Sequence, residues 1–276
     1  MQIDHVTFIC CLMLLVLSRA SKRVISRHCA LKMSSFTEKI STETPRIVVN
    51  AHDVVLRMKN AATEHGRVAE NIKLVAVSKT KPHTDIQQLY DHGYRLFGEN
   101  YYQELVDKAA ILPKDIKWHF IGHLQSSKAA KLIKDVPNLA VLETVDSMKL
   151  ALKLNNAVGA VGREYLDVYL QIDTSGEETK SGIPPEEAVS FVQEVNEKCK
   201  QLKIKGLMTI GAPGDISCFD KLVECRVNVA NTLGVSIDSL ELSMGMSGDF
   251  EAAISKGSTS IRVGSTIFGE RDYSKP

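Results

Sequence analysis

Lys79 is the residue at which this sequence most directly suggests chemistry. It follows the apolar, β-rich run Ile72 to Val77 and sits in Ser78-Lys79-Thr80-Lys81-Pro82. An amine at the end of a hydrophobic strand is partly desolvated, which lowers its pKa and leaves a neutral nucleophile able to condense with an aldehyde. Lys81 adds a second cation nearby. A lysine at a strand end is also an ordinary solvated surface charge, so Lys79 alone leaves both readings open.

Two later segments offer places for an anion. Ser243-Met244-Gly245-Met246-Ser247-Gly248-Asp249 leads into a helical pattern carrying Phe250, Ala253 and Ile254, and Val263-Gly264-Ser265-Thr266 repeats the device. Small residues let backbone amides approach an anion, and the following helix N-terminus adds its positive end. Either loop alone could be a Ser/Thr helix cap. Both together, after adjacent strands, favour phosphate, because barrels commonly bind it after strands seven and eight. Arg262 shares its facing with Gly264, while Ile261 and Val263 take the other side. Facing a ligand, it would donate to a pyridine nitrogen, hold it unprotonated and leave a weak electron sink. The alternative is an ion pair with Glu241 or Asp249.

Other reactive types point to structure. His119 and His123 flank Phe120 and Gly122, but no third ligand falls at metal-site spacing, so a hydrogen-bonding role is expected for each. Of the six cysteines, Cys10, Cys11 and Cys29 lie in the leading segment and Cys199, Cys218 and Cys225 are scattered through the body, with no CxxC pair. These read as buried thiols in a reducing compartment.

The elements that must position these residues alternate regularly. A first helix runs from Pro45 to about His65. Strands are predicted at 72–77, 95–97, 117–121, 139–144, 166–172, 203–208, 239–242 and 260–263, with helical patterns between them and Gly98-Glu99-Asn100 as a loop. Eight βα units at this spacing predict a single (β/α)8 TIM-type barrel. No Gly-x-Gly-x-x-Gly follows the first strand, which argues against an open dinucleotide-binding sheet. In a barrel the polar residues just after each strand converge on one face, bringing Lys79, Asn100, His123, Gln125, Thr174, Ser175, Thr209, Ser247 and Thr266 to a common mouth. The loop Thr174 to Gly182 would edge that mouth and could receive anionic ligands through Lys180.

Composition agrees. The chain has 276 residues, 44% apolar and only 6% aromatic, with Lys+Arg 34 against Asp+Glu 33. That balance gives no reason to expect nucleic acid or an anionic membrane as partner for the barrel. Val6 to Leu17 is an apolar run too short for a confident membrane span, and the basic residues Arg19, Lys22, Arg23 and Arg27 follow rather than precede it. Residues 1–32 are therefore set outside the fold, as an atypical organelle-targeting segment or an extension ahead of Met33, and 33–276 is expected to form one domain. The expected location is cytoplasmic, with mitochondrial as the alternative.

Several segments together resemble one family: Ala76 to Pro82, Phe97 to Tyr101, Trp118 to Gln125, Thr174 to Gly182, Gly206 to Gly211, and Leu242 to Tyr273. In order and spacing they are similar to the pyridoxal phosphate homeostasis proteins, also called proline synthase co-transcribed homologues. Ser127 departs from the asparagine more usual there. The resemblance implies a barrel like the N-terminal domain of alanine racemase, with pyridoxal 5′-phosphate joined to Lys79 as a Schiff base. It further implies that Ser247, Ser265, Thr266 and the Gly264 backbone take the phosphate and that Arg262 faces the ring nitrogen. Asn100 and Met208 would lie near the cofactor.

Three functions follow as alternatives. One is a carrier with little or no turnover that buffers the cofactor and supplies it to apo-enzymes, as a monomer or weak dimer. The second is an amino-acid racemase. Alanine racemase uses a further β-domain for its second acid/base, whereas here the sequence stops soon after the eighth strand, so the carrier is favoured. The third is a phosphosugar enzyme using Lys79 on a sugar aldehyde.

Overall fold

The computed structural model describes residues 44–177 and 181–270. The leading segment, Lys180 and Tyr273 lie outside the described residues. The described residues from Arg46 onward form one compact unit.

Eight strands close into a barrel in sequence order, β1 to β8, every neighbouring pair parallel. They are β1 Lys73–Val77, β2 Leu96–Glu99, β3 Lys117–Phe120, β4 Leu139–Val145, β5 Leu166–Gln171, β6 Leu202–Met208, β7 Glu241–Ser243 and β8 Ser260–Val263. Helix α1, Arg46–Glu64, precedes β1. Between successive strands run α2 His83–Asp91, α3 Tyr102–Ile111, α4 Ala129–Asp135, α5 Met148–Ala160, α6 Ala188–Lys198, α7 Ser217–Leu233 and α8 Phe250–Ser255, and α9, Ser265–Phe268, follows β8. The expected (β/α)8 architecture is present.

The last helix is a single turn, too short to cover the outer faces of β8 and β1. Helix α1 covers that gap by packing against α8 and α9. Its buried stripe is Val48, Ala51, Val54, Met58, Ala61 and Ala62, a spacing of threes and fours that keeps one face inward. Burying each larger member of the stripe contributes about 1.5–3 kcal/mol. Asn50 Nδ2 donates to Ile267 O at 3.0 Å, fixing α1 to α9.

Alternation along the strands separates two environments. Ala76, Phe97, Trp118, Phe120, Leu142, Val168, Leu170, Leu207, Leu242, Ile261 and Val263 join the helices in the main core. Lys73, His119, Glu143, Tyr169, Glu241, Ser243 and Arg262 take the opposite facing and meet one another across the barrel interior. Barrel interiors are usually filled by branched apolar side chains. Here much of the interior is instead satisfied by hydrogen bonds and ion pairs. Lys73 Nζ lies 2.6 Å from Glu241 Oε2, Lys205 Nζ lies 3.5 Å from Glu241 Oε1, and the Tyr169 hydroxyl donates to Glu241. A small apolar group of Val141, Tyr169 and Met208 completes it.

One expectation is corrected. Gly98 and Glu99 belong to strand β2, and only Asn100 begins the loop. A Cβ at Gly98 would meet Val75 Cγ1 at 3.0 Å and Ile121 Cδ1 at 3.2 Å. The glycine therefore allows close packing inside the barrel, where the sequence alone suggests a turn. Glu99 points the other way, to α3, where Lys108 Nζ donates to its Oε1 at 2.8 Å and the Ser78 hydroxyl donates at 2.6 Å.

Burial pushes the Glu99 carboxyl up to about 7 against the pull of Lys108 and Ser78. Between the ordinary value of 4.5 and about 7 the folded chain holds a proton that the unfolded chain has lost, so stability falls as pH rises through that window. The slope approaches about 1.4 kcal/mol per pH unit. Urea midpoints at several pH values between 5 and 8 are expected to fall in the wild type and to fall less in Glu99→Gln. Equal pH dependence in the two proteins would remove Glu99 as the cause.

Candidate functional site

The C-terminal ends of β1, β7 and β8 enclose a pocket of about 260 Å³. Its walls include Val77, Lys79, Lys81, Ile121, Met246, Ser247, Gly248, Arg262, Gly264, Ser265 and Gly269. Lys79, Ser247, Arg262, Gly264 and Ser265, singled out from sequence, are thus brought to one cavity. Among the described residues, three cationic side chains and no carboxylate line it, a composition suited to an anion.

The loops after β7 and β8 meet at Ser247. Gly264 N donates to Ser247 Oγ at 3.2 Å, and Thr266 N approaches it at 3.5 Å. The amides and the hydroxyl expected to take a phosphate therefore converge on one point. A Cβ on Gly264 would stand 3.2 Å from Val77 O, so glycine lets the end of β8 lie close beside the strand that carries Lys79. Gly245, at φ +94, turns the preceding loop, where a Cβ would fall 2.5 Å from Ala253 Cβ. Met246 N then donates to Asp249 Oδ1 at 2.6 Å, closing the loop on itself. Because α8 has six residues and α9 has four, these individual donors offer an anion more than the helix dipoles do.

Arg262 is 4% exposed. Its Nη1 donates to Ser243 Oγ at 2.6 Å and its Nη2 to Thr209 O at 2.8 Å. The guanidinium is held in one orientation, with donor capacity left over for a ligand. The ion-pair partners expected for it are corrected: Glu241 is bound by Lys73 and Tyr169, and Asp249 accepts from Met246. The compensating carboxylate is Glu143, whose Oε2 lies 4.0 Å from Arg262 Nη1 and accepts from the Ser243 hydroxyl at 2.5 Å. His119 Nδ1 lies 2.5 Å from Glu143 Oε1. Burial lowers the Arg262 pKa, partly offset by Glu143. Burial likewise opposes ionisation of Glu143, but His119, Arg262 and Ser243 hold its carboxyl below the usual range.

Glu143 and Ser243 were not singled out as partners of Arg262 by sequence. The available signal was a carboxylate inside the apolar run Leu139 to Thr144. Asn100 and Met208 do not line the pocket. Asn100 follows β2 and packs its backbone against Gly122, where a Cβ would fall 2.0 Å from Asn100 O. Its Oδ1 is buried with no hydrogen-bond partner among the described residues. Met208 is buried in the barrel interior with Tyr169 and Val141.

Thr174 Oγ1 and Thr209 Oγ1 lie 2.9 Å apart, and His123 Nδ1 lies 3.2 Å from Asp146 Oδ2. His119 and His123 thus each meet a carboxylate of their own, Glu143 and Asp146. Cys199, Cys218 and Cys225 are free and buried. No described helix is long and apolar enough to cross a membrane.

Comparison with known proteins agrees with the fold. Residues 57–272 match the family model for the alanine racemase N-terminal domain. Pyridoxal phosphate homeostasis proteins are similar along most of the chain. The one from Homo sapiens is 52% identical over 215 residues, covering 74% of this chain and 78% of that protein. The one from Schizosaccharomyces pombe is 43% identical over 228 residues, covering 80% and 92%. Among solved structures, PipY of Synechococcus elongatus with pyridoxal phosphate bound superposes with a TM-score of 0.62 at 32% identity, covering 77% of this chain and all of PipY. An alanine racemase of Clostridium difficile shares the fold at a TM-score of 0.60 and 20% identity, covering 82% of this chain and 57% of the racemase.

Proposed function

The chain belongs to the family of pyridoxal phosphate homeostasis proteins, built on the alanine racemase N-terminal domain, and we propose that it holds pyridoxal 5′-phosphate as a Schiff base on Lys79 and supplies it to apo-enzymes. The observation that carries this reading is the single cavity joining Lys79, Arg262 and the Ser247, Gly264 and Ser265 loops. An aldehyde-bearing pyridine phosphate presents the three groups that these residues suit. The amine of Lys79 takes the aldehyde carbon, forming a C=N bond with loss of one water. The Gly264 and Thr266 amides with the Ser247 hydroxyl take the phosphate. Arg262, a fixed cation, stands for the ring nitrogen.

When bound, the cofactor supplies a reactive aldehyde and, where its ring nitrogen is protonated, an electron sink. A guanidinium facing that nitrogen disfavours its protonation and so weakens the sink. The relatives are named for homeostasis rather than for a reaction, in keeping with storage over turnover.

Delivery is tested by mixing the loaded chain with an apo form of a pyridoxal phosphate enzyme in the presence of a trap for free cofactor. Reactivation that persists despite the trap is expected, and reactivation fully quenched by it would reduce the role to storage and release. In parallel, loaded protein is incubated with each amino-acid enantiomer. Little interconversion is expected, and robust racemisation would favour an enzyme instead.

A further inference from the structure

We propose that Lys108, with Glu104 and Glu99 bonded to its ammonium, forms a largely buried hydrogen-bonded clamp that sets the backbone of the Ser78-Lys79-Thr80 turn and thereby aims Lys79 for linkage to the cofactor. The inference rests on the Schiff-base reading given above.

Lys108 lies on α3 with its side chain 7% exposed. Its ammonium donates to Ser78 O at 2.8 Å, Glu99 Oε1 at 2.8 Å and Glu104 Oε1 at 2.6 Å. An ammonium has three N–H donors, and these acceptors match that capacity. Glu104 Oε1 also accepts from Thr80 N at 2.6 Å, while Glu99 Oε1 accepts from Ser78 Oγ at 2.6 Å. The cluster therefore grips the residue before Lys79 and the residue after it.

The grip falls where the backbone needs it. Thr80 adopts φ 62 and is the sole non-glycine residue with positive φ among the described residues. A left-handed threonine is uncommon and persists where surrounding structure imposes it. Here Thr80 N is tied to Glu104, and Lys81 N donates to Ser78 O at 3.0 Å. The turn is closed from within and anchored from α3.

Stability alone is a poor account of these residues. Buried ion pairs are often replaceable by apolar side chains without loss. Glu99 Oε2 is also buried with no hydrogen-bond partner among the described residues, so the cluster is not arranged for maximal satisfaction. Its bonds converge instead on the two flanks of one functional lysine. The cluster lies on the helix side of β1 and β2, apart from the residues lining the phosphate loops. It should thus affect linkage separately from phosphate binding.

Two ligands separate these effects. Pyridoxal 5′-phosphate binds with formation of the C=N bond. Pyridoxamine 5′-phosphate carries the same ring and phosphate but no aldehyde. In Lys108→Met the equilibrium constant for the linked form, read from its absorbance, is expected to fall about tenfold, the order of a lost charge-assisted hydrogen bond. Affinity for pyridoxamine 5′-phosphate, read by calorimetry, should stay near the wild-type value.

Glu104→Ala, on a more exposed position that favours helix, should show the same split with a smaller loss, and it decides the matter if Lys108→Met does not fold. Equal loss of both ligands would mean that the cluster merely supports the whole pocket. No change in either would remove the clamp. Failure of the underlying Schiff-base reading would instead appear as absence of a linked form in the wild type or its persistence in Lys79→Ala, and would overturn the clamp with it.

Discussion

If Lys79 carries the cofactor as proposed, Lys79→Ala is expected to abolish the Schiff-base absorbance of the purified, cofactor-loaded chain and to leave the fold intact. The loss should be complete, because the linkage needs an unprotonated amine at one position of the pocket. Lys81, the other lysine in its walls, donates its ammonium to Glu270 O at 2.7 Å. Stability should change little. The bonds that hold the Lys79 turn involve the Ser78 carbonyl and hydroxyl and the Thr80 amide, all of which alanine at residue 79 preserves.

The urea midpoint should shift by less than the equivalent of about 1 kcal/mol. Borohydride reduction followed by peptide mass mapping locates the linkage directly. A reduced adduct at another lysine of the variant would sink the assignment. Residual affinity for the phosphorylated ring is expected to survive through Ser247, Gly264 and Thr266, so the variant should still bind the cofactor weakly, with the spectrum of the free aldehyde and no borohydride-reducible adduct.

The barrel was legible because its signal is local. Each strand is a short apolar run, each helix carries a stripe, and eight repeats leave few architectures open. Lys79 and the two glycine-bearing loops were legible for a related reason: they fall just after β1, β7 and β8, where a barrel's topology gathers them. The face of Arg262 followed from alternation with Ile261 and Val263, which pack outward as that pattern requires.

What escaped the sequence depends on distant partners. Gly98-Glu99 looks like a turn until Val75, Ile121 and Lys108 are placed around it. Glu143 looks like an ordinary polar alternate on its strand. Its three partners come from β3, β7 and β8, with Ser243 exactly one hundred residues away in sequence. No local pattern announces such a meeting. The interior polarity of the barrel was hidden in the same way, because a lysine, a tyrosine and a glutamate on three strands read as surface residues until Lys73, Tyr169 and Glu241 are seen to bond one another.

Glu143→Ala is expected to lower stability by about 3–5 kcal/mol, the range for removing one member of a buried charge pair. Arg262 and Glu143 have side chains 3% and 0% exposed, so solvent screens the unbalanced charge poorly. The variant would leave Arg262 without its buried counter-charge and Ser243 and His119 without their acceptor. Glu143→Gln keeps an acceptor of similar shape but no charge and should fall between alanine and wild type.

The acid limb tests the same group independently. Its folded pKa lies below the ordinary value of 4.5, so its stabilisation is fully present above that value and is lost as pH falls through the folded one. Wild type should therefore lose stability on acidification more steeply than Glu143→Gln. Urea midpoints with unchanged m-values measure both effects. Wild-type midpoints in Glu143→Ala would mean that Arg262 needs no buried counter-charge, and would leave its orientation in the pocket to Thr209 O and Ser243 alone.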